Sequence, residues 1–317
     1  MKVLYQTLLL AAVATATPET LYSPTPYGQV LSHCVHEVPS GSHIKELPSG
    51  DTLVVPPNKG VKGYVIPKCD DRNGTLPVLK RSVRKSVQGL PPNYDGWLQY
   101  TALNTSQVGL TGGFDAFTNV MTVPDVPKDT PQVLYFFPGL QNINWIPKVD
   151  PEPTPSNPFD IIQPVLQFPG GFLNQGWGLK SWYVTVNAGA LFSKEIKVKA
   201  GDEILCNMTR LGETKWSVAG TLKSSGQSTT QVADNERLRL QPWAYNTLEC
   251  YGCSGCSTFP QTPIVFKENK LYQNGELITK IKGTDWQINP QPAEHLECHE
   301  RTSVDPTTGD TTISFQN

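Results

Sequence analysis

From "YDGWLQYTAL" onward the chain is a succession of short apolar runs, each closed by Gly, Asn or Pro. Among them are "GGFDAFTNVMTVP", "QVLYFFPGL", "FDIIQPVLQF", "SWYVTVNAG", "EIKVKAGDEILCNMT", "KWSVAGTL" and "QPWAYNTLEC". Runs this short, rich in β-branched and aromatic residues and spaced by turn signals, cannot make helices of useful length, but they suit strands that pair through tight turns. The pattern predicts an all-β fold, an antiparallel two-sheet β-sandwich. The 28 prolines and 26 glycines supply the turns. No internal repeat and no second core are visible.

What precedes and follows these runs reads differently. "MKVLYQTLLLAAVATA", residues 1–16, has one Lys, an apolar centre and small residues at its end. It reads as a secretory signal peptide, too short to span a bilayer. The expectation is an exported protein, extracellular or in an acidic lumenal compartment, with no membrane partner. Residues 17–85 are rich in Pro, Gly and Ser and end in the basic cluster "KRSVRK". We read them as a prosegment with a processing site, against the alternative of a solvated linker. They hold nine Lys+Arg and six Asp+Glu, a net of +3, whereas residues 86–317 hold sixteen and twenty-two, a net of −6. Opposite signs attract, and the attraction weakens as carboxylates protonate. The sandwich is placed at 86–283 and a polar C-terminal tail at 284–317, with one last strand at "TTISF". A whole-chain balance of 26 Lys+Arg and 28 Asp+Glu gives no basic field for nucleic acid.

Export makes bridges the expected state of the seven cysteines, Cys34, Cys69, Cys206, Cys250, Cys253, Cys256 and Cys298. Cys34 and Cys69 can pair within the prosegment. The remaining five must leave one thiol over. Asn73, Asn104 and Asn207 each open an N-x-S/T glycosylation triplet.

Two strands carry polar residues where apolar ones belong. In "FDIIQPVLQF" alternation puts Ile161, Gln163, Val165 and Gln167 on one face, with Ile162, Pro164, Leu166 and Phe168 on the other. Pro164 withholds a ladder donor, which predicts an edge or a bulge at Gln163. In "QPWAYNTLEC" Trp243, Tyr245, Thr247 and Glu249 share a face. A carboxyl group among aromatic and hydroxyl side chains is partly desolvated and suits acid–base work.

Taken in order, "IIQPVLQF", "SWYVT", "IKVKAGDEI", "AYNTLEC" and "PIVFKENKLYQNGE" resemble the eqolisin-type glutamic peptidases, secreted acid proteases with a concanavalin-like, jelly-roll type β-sandwich. The resemblance covers about residues 94 to 280 and rests on order and spacing. It places the family's catalytic glutamine on Gln163, its W-Y pair on Trp182 and Tyr183, its G-D turn on Gly201 and Asp202, and its catalytic glutamate on Glu249. Pro164-Val165 stand where the family has T-G, and Tyr245 where its strand has an earlier glutamate. The resemblance implies a secreted acid endopeptidase acting on polypeptides through a water activated by Glu249 and positioned by Gln163. No cofactor or metal is implied. Trp182 and Tyr245 become candidate substrate-binding residues, and the prosegment an intramolecular inhibitor.

Other chemistries lack their residues. There is no G-x-S-x-G, and "EHLECHE" does not have the H-E-x-x-H order of zinc proteases. No strand carries a paired-carboxylate E-x-D-x-x-E run of the glycosidase kind. The alternative function is a non-catalytic, lectin-like carbohydrate-binding protein using some of its seven tryptophans as ring faces.

Overall fold

The computed structural model describes residues 22–69, 79–80, 94–144, 146, 158–168, 176–288 and 298–315. The N-terminal part supplies β1 (Tyr22–Thr25), β2 (Gly28–Leu31), β3 (Val35–Val38), β4 (Ser42–Glu46), β5 (Thr52–Val55), β6 (Tyr64–Ile66) and β7 (Leu79–Lys80). The long central strands are β8 (Tyr94–Asn104), β9 (Ala116–Thr122), β10 (Val133–Gln141), β11 (Asp160–Phe168) and β12 (Trp177–Thr185). They are followed by β13 (Gly189–Ser193), β14 (Ile196–Val198), β15 (Glu203–Arg210), β16 (Lys215–Leu222), β17 (Ser228–Asp234) and β18 (Trp243–Cys253). Last come β19 (Ile264–Gln273), β20 (Glu276–Leu277), β21 (Gln287–Ile288), β22 (Arg301–Val304) and β23 (Thr311–Ser314). Among the described residues there is no α-helix, only short 3-10 turns.

The strands build two large sheets. The first runs β21-β8-β18-β10-β11-β12-β13-β3, and the second β22-β23-β19-β9-β15-β16-β17-β4-β5-β6. Alternation decides what lies between them. Phe136, Leu166, Phe168, Trp177 and Leu248 of the first sheet pack on Met121, Ile204, Ile264 and Phe266 of the second, with Leu140, Ile162, Phe117 and Trp216 continuing the layer. Burying a side chain of this size stabilises by about 1.5–3 kcal/mol, so the layer dominates the fold. The chain is an all-β sandwich, as its pattern predicts.

Three features depart from the sequence reading. Nearly all pairings are antiparallel, but β3 lies parallel to β13 and β4 parallel to β17. A strap formed by residues 22–69 therefore extends both sheets, held by ladder hydrogen bonds and not by net charge alone. Second, Gln163 is not at an edge, since β11 lies between β10 and β12. The missing donor is accommodated inside the sheet: pairing of β10 with β11 stops after Phe136↔Leu166 and resumes at Leu140↔Ile162. That register sets Pro138 against Pro164, so neither side has an N–H to offer. Third, the bulge lies at Glu249, where β8 opposes Leu248 with Gln99 and Glu249 with Trp97, leaving Leu98 as the extra residue.

Disulfides join Cys34 to Cys69, Cys250 to Cys253 and Cys256 to Cys298. Cys206 is the free, buried thiol. The chain after residue 284 is partly anchored: Cys298 is bridged, β23 pairs with β19, and Ile313 and Phe315 enter the core. Glu294 to Glu297 of "EHLECHE" lie outside the described residues, as does Asn73. Asn207 points outward from β15, whereas Asn104 is 8% exposed and its Oδ1 accepts from Ser106 N. We expect glycopeptide mapping to find sugar on Asn207 and none on Asn104; the reverse would contradict this packing.

Candidate active site

The outer face of the first sheet is also buried. Its cluster joins Trp97, Tyr100, Tyr135, Phe137, Ile161, Val165, Trp182, Tyr245 and Tyr251 to Tyr27, Val30, Leu31, Cys34 and Cys69 of the strap, with no side chain from the second sheet. The strap thus covers a groove whose floor is β18, β10, β11 and β12.

Gln163 and Glu249 both stand on that floor. Glu249 lies opposite Tyr135 on β10, and Gln163 opposite Trp182 on β12. Gly139 on β10, level with Gln163 and opposite Tyr245 of β18, has no side chain. A Cβ there would sit 3.3 Å from Ile161 Cδ1 and 3.7 Å from Gln163 Oε1, so the glycine leaves the amide room to lie across β10. The bulge at Glu249 aims the carboxylate into the same groove.

Both residues are 0% exposed because a hairpin tip rests on them. β1 and β2 pair from Tyr22↔Leu31 to Thr25↔Gly28, which leaves Pro26 and Tyr27 as the loop. Gln163 Nε2 donates to Pro26 O at 2.9 Å, and Gly28 N donates to Glu249 Oε1 at 3.1 Å. One residue of backbone therefore bridges the amide and the carboxylate, about 3.5 Å of chain. Gly28 has φ of 103°, which turns its N–H inward and requires glycine. Tyr251 Oη also donates to Glu249 Oε1, and Tyr135 Oη donates to Pro24 O at 2.9 Å. Burial, and after it the Glu249 carboxylate, pushes the Tyr135 phenol well above its ordinary range, so it stays a donor.

Of the other predicted residues, Trp182 and Tyr245 share the buried outer face with this pair, and Tyr183, Gly201 and Asp202 do not. Trp182 lines the same face, edge-on to Tyr135 at 6.2 Å and tilted on Phe192 at 4.6 Å. Tyr245 sits edge-on to Trp97 at 5.1 Å and stacks on Trp243 at 6.1 Å. It also borders an open cavity of about 170 Å³ lined by Tyr100, Ala102, Asn144, Ile146, Trp243, Tyr245 and Gln287. Tyr183 faces the other way, and its hydroxyl donates to Asp160 at 2.9 Å. Gly201 and Asp202 form the turn before β15, remote from the floor strands in the ladder. Trp97, Trp177, Trp182, Trp216 and Trp286 are buried, so a ring face for sugar among the described residues would fall to Trp243. Among the described residues no cluster of His, Cys, Asp or Glu is arranged to hold a metal.

Sequence reasoning missed the hairpin tip and the ion pairs that dock the strap. Arg237 Nε donates to Asp160 Oδ1 at 3.0 Å, and its other nitrogens reach Glu46 on β4. Burial pushes Asp160 up to about 6, the Arg237 charge opposing that only in part. A carboxyl raised in the fold stabilises fully below its unfolded value and loses that contribution as pH rises through about 6. Two units correspond to about 3 kcal/mol. Thermal melts from pH 4 to 7 should show a decline in stability that Asp160→Asn flattens; an unchanged slope would reject the assignment.

No protein-family model matches the chain, and no curated protein matches it. Solved structures do. Scytalido-glutamic peptidase with a transition state analog inhibitor is 14% identical at TM-score 0.48, covering 70% of this chain and 99% of that one. SCP-B, a member of the Eqolisin family of peptidases in complex with the tripeptide Ala-Ile-His, is 15% identical at TM-score 0.47, with 70% and 99% covered. Lectin II from Ulex europaeus is 14% identical at TM-score 0.29, with 56% and 88% covered.

Proposed function

We propose that the protein is an exported, acid-acting endopeptidase of the glutamic type, kept silent by its own N-terminal strap. One observation carries this reading: the Gln163 amide donates to a peptide carbonyl while the Glu249 carboxylate engages a peptide N–H one residue further on. The carbonyl belongs to the Pro26–Tyr27 bond and the N–H to the next one, Tyr27–Gly28, so the pair grips the backbone on either side of Tyr27. On an extended substrate Glu249 would take a proton from water as it attacks the carbonyl carbon, then return it to the leaving amine. Gln163 would donate to the carbonyl oxygen as its negative charge develops.

The strap fits an inhibitor. At its tip the chain turns back on itself instead of passing through, so no extended bond is offered to the pair. Its single bridge, Cys34–Cys69, is internal, and the other two bridges join residues of the body. A cut after Lys85 would then leave only non-covalent contacts holding it. Arg81–Lys85 lie outside the described residues. Acid would loosen the strap: burial, and then His33, holds His36 on β3 below the ordinary histidine range. A histidine lowered in the fold stabilises docking above its unfolded value and loses that contribution as pH falls through the lowered one.

Export agrees with three disulfides. Incubation at about pH 4, where an unperturbed glutamate is partly ionised, should release a fragment ending near Lys85 and start casein hydrolysis that pepstatin does not stop. An intact, inert chain at every pH would defeat the proposal.

A further inference from the structure

Tyr27 reaches deeper into the groove than inhibition alone requires. Its side chain is 0% exposed. The ring lies 4.5 Å from Phe159 and edge-on to Trp97 at 6.0 Å, and Gln141 Nε2 donates to its phenol oxygen. Burial first, then Tyr245 and Glu249, holds this phenol well above the ordinary tyrosine range, so it stays neutral in place. Three elements of the body thus form one seat: Trp97 from β8, Gln141 from the end of β10, and Phe159 just before β11. Two aromatic walls and one amide at the base describe a pocket shaped for a phenol.

The seat lies next to the chemistry. Tyr27 follows the very carbonyl that Gln163 holds, and precedes the N–H that Glu249 accepts. Gln141 itself is fully buried at the end of the strand that separates β11 from β18. A group built into a wall of the body, and engaged by the strap through the Tyr27 side chain, is available to any peptide that replaces the strap.

We propose that this pocket selects substrates carrying tyrosine beside the cleaved bond, with Gln141 as the specificity-determining residue. This rests on the peptidase reading above and adds the class of peptide preferred. A site that hydrogen-bonds a hydroxyl discriminates strongly against the analogue lacking it, because the buried partner is left unsatisfied. Phenylalanine would fill the ring space and lose the hydrogen bond that Gln141 donates to the hydroxyl. Leucine would leave part of the aromatic slot empty.

The test uses the full chain with Tyr27→Gly and Gly189→Ala, which empties the seat and, through the clash with Cys34, displaces the strap. Quenched peptides that differ only in Tyr, Phe, Leu or Ala at either position flanking the cleaved bond are compared at about pH 4. The expected result is a kcat/KM for Tyr at least tenfold above that for Phe, lost or reversed when Gln141→Leu is added. Tyr and Phe within twofold of each other, or a ratio indifferent to Gln141→Leu, overturns the inference while the peptidase reading stands. Binding of the same peptides, read by calorimetry, separates the two ideas. Tyr-selective, Gln141-dependent binding without any hydrolysis supports the pocket and sinks the peptidase. If this double variant does not fold, Tyr27→Phe in the otherwise natural chain serves instead. Hydrogen exchange at Gly28–Leu31 should then quicken about tenfold, and unchanged exchange would show that Gln141 does not read the hydroxyl.

Discussion

Glu249→Gln and Gln163→Ala should each remove peptide hydrolysis almost completely, for different reasons and with different signatures. Glutamine keeps the shape of Glu249 and its contact with Tyr251, but cannot carry a proton from water to the leaving amine. Loss of a positioned general acid–base costs about 10²–10⁴ in rate. Alanine at 163 removes a side-chain donor that reaches the bound carbonyl, and loss of a single such donor costs about 10²–10³ in kcat. Gln163→Glu separates charge from geometry: it reaches the same position but presents an acceptor to the carbonyl unless protonated, so any residual activity should move to lower pH. Since both residues act on one bond, the double variant should be little worse than the poorer single one. Near-normal activity in either single variant would remove that residue from the mechanism.

Gly189→Ala is expected to unmask the groove. Gly189 begins β13, against which β3 of the strap lies in parallel, and a Cβ built there would sit 2.3 Å from Cys34 O and 2.7 Å from Cys34 Cβ. Such contacts are not relieved by a rotamer change, because the nearest atom is backbone. The strap must move. The backbone itself, at φ of 76°, adds a strain of about 1 kcal/mol for alanine. Overpacking adds about 1–3 kcal/mol. A docking equilibrium weakened by about 3 kcal/mol opens roughly a hundredfold more often. Peptide hydrolysis at mildly acidic pH should rise accordingly, while the groove residues are untouched. Gly201→Ala is the control: its φ is 83°, but nothing lies within 4 Å of the added carbon. It should strain the turn before β15 without releasing the strap. Equal activation by both substitutions would mean that general destabilisation, and not the clash, exposes the site.

Much of this arrangement is legible in the residues, and what is not has a physical reason. Alternation in "IIQPVLQF" and "AYNTLEC" orients Gln163 and Glu249, because strand period alone fixes which side chains share a face. The opposing prolines, Pro138 and Pro164, are each visible, but their juxtaposition depends on a register that only the paired strands define. Pro164 predicts an edge or a bulge at Gln163, whereas β11 is internal and the bulge lies at Glu249, where Gly96 at φ of 88° lets β8 bend. Least legible is the strap. "YSPTPYGQVL" reads as a polar, proline-rich stretch, and nothing local in it says that Tyr27 will be among the most deeply buried side chains. Its burial follows from long-range pairing of β3 and β4 with both sheets and from Arg237 meeting Glu46, separated in sequence by 191 residues. Charge counting gives the two parts opposite net signs but says nothing of the hydrogen-bonded ladders.

Strap and catalytic pair are two halves of one claim: a peptide turn is held by the groups that would cut an extended peptide. Casein hydrolysis at about pH 4 in the presence of pepstatin, by Gly189→Ala with and without Glu249→Gln in the same chain, tests both halves at once. The account predicts activity well above that of the unaltered full-length protein, abolished by the second substitution. Activity that survives Glu249→Gln, or that never appears once the strap has been displaced, would contradict it.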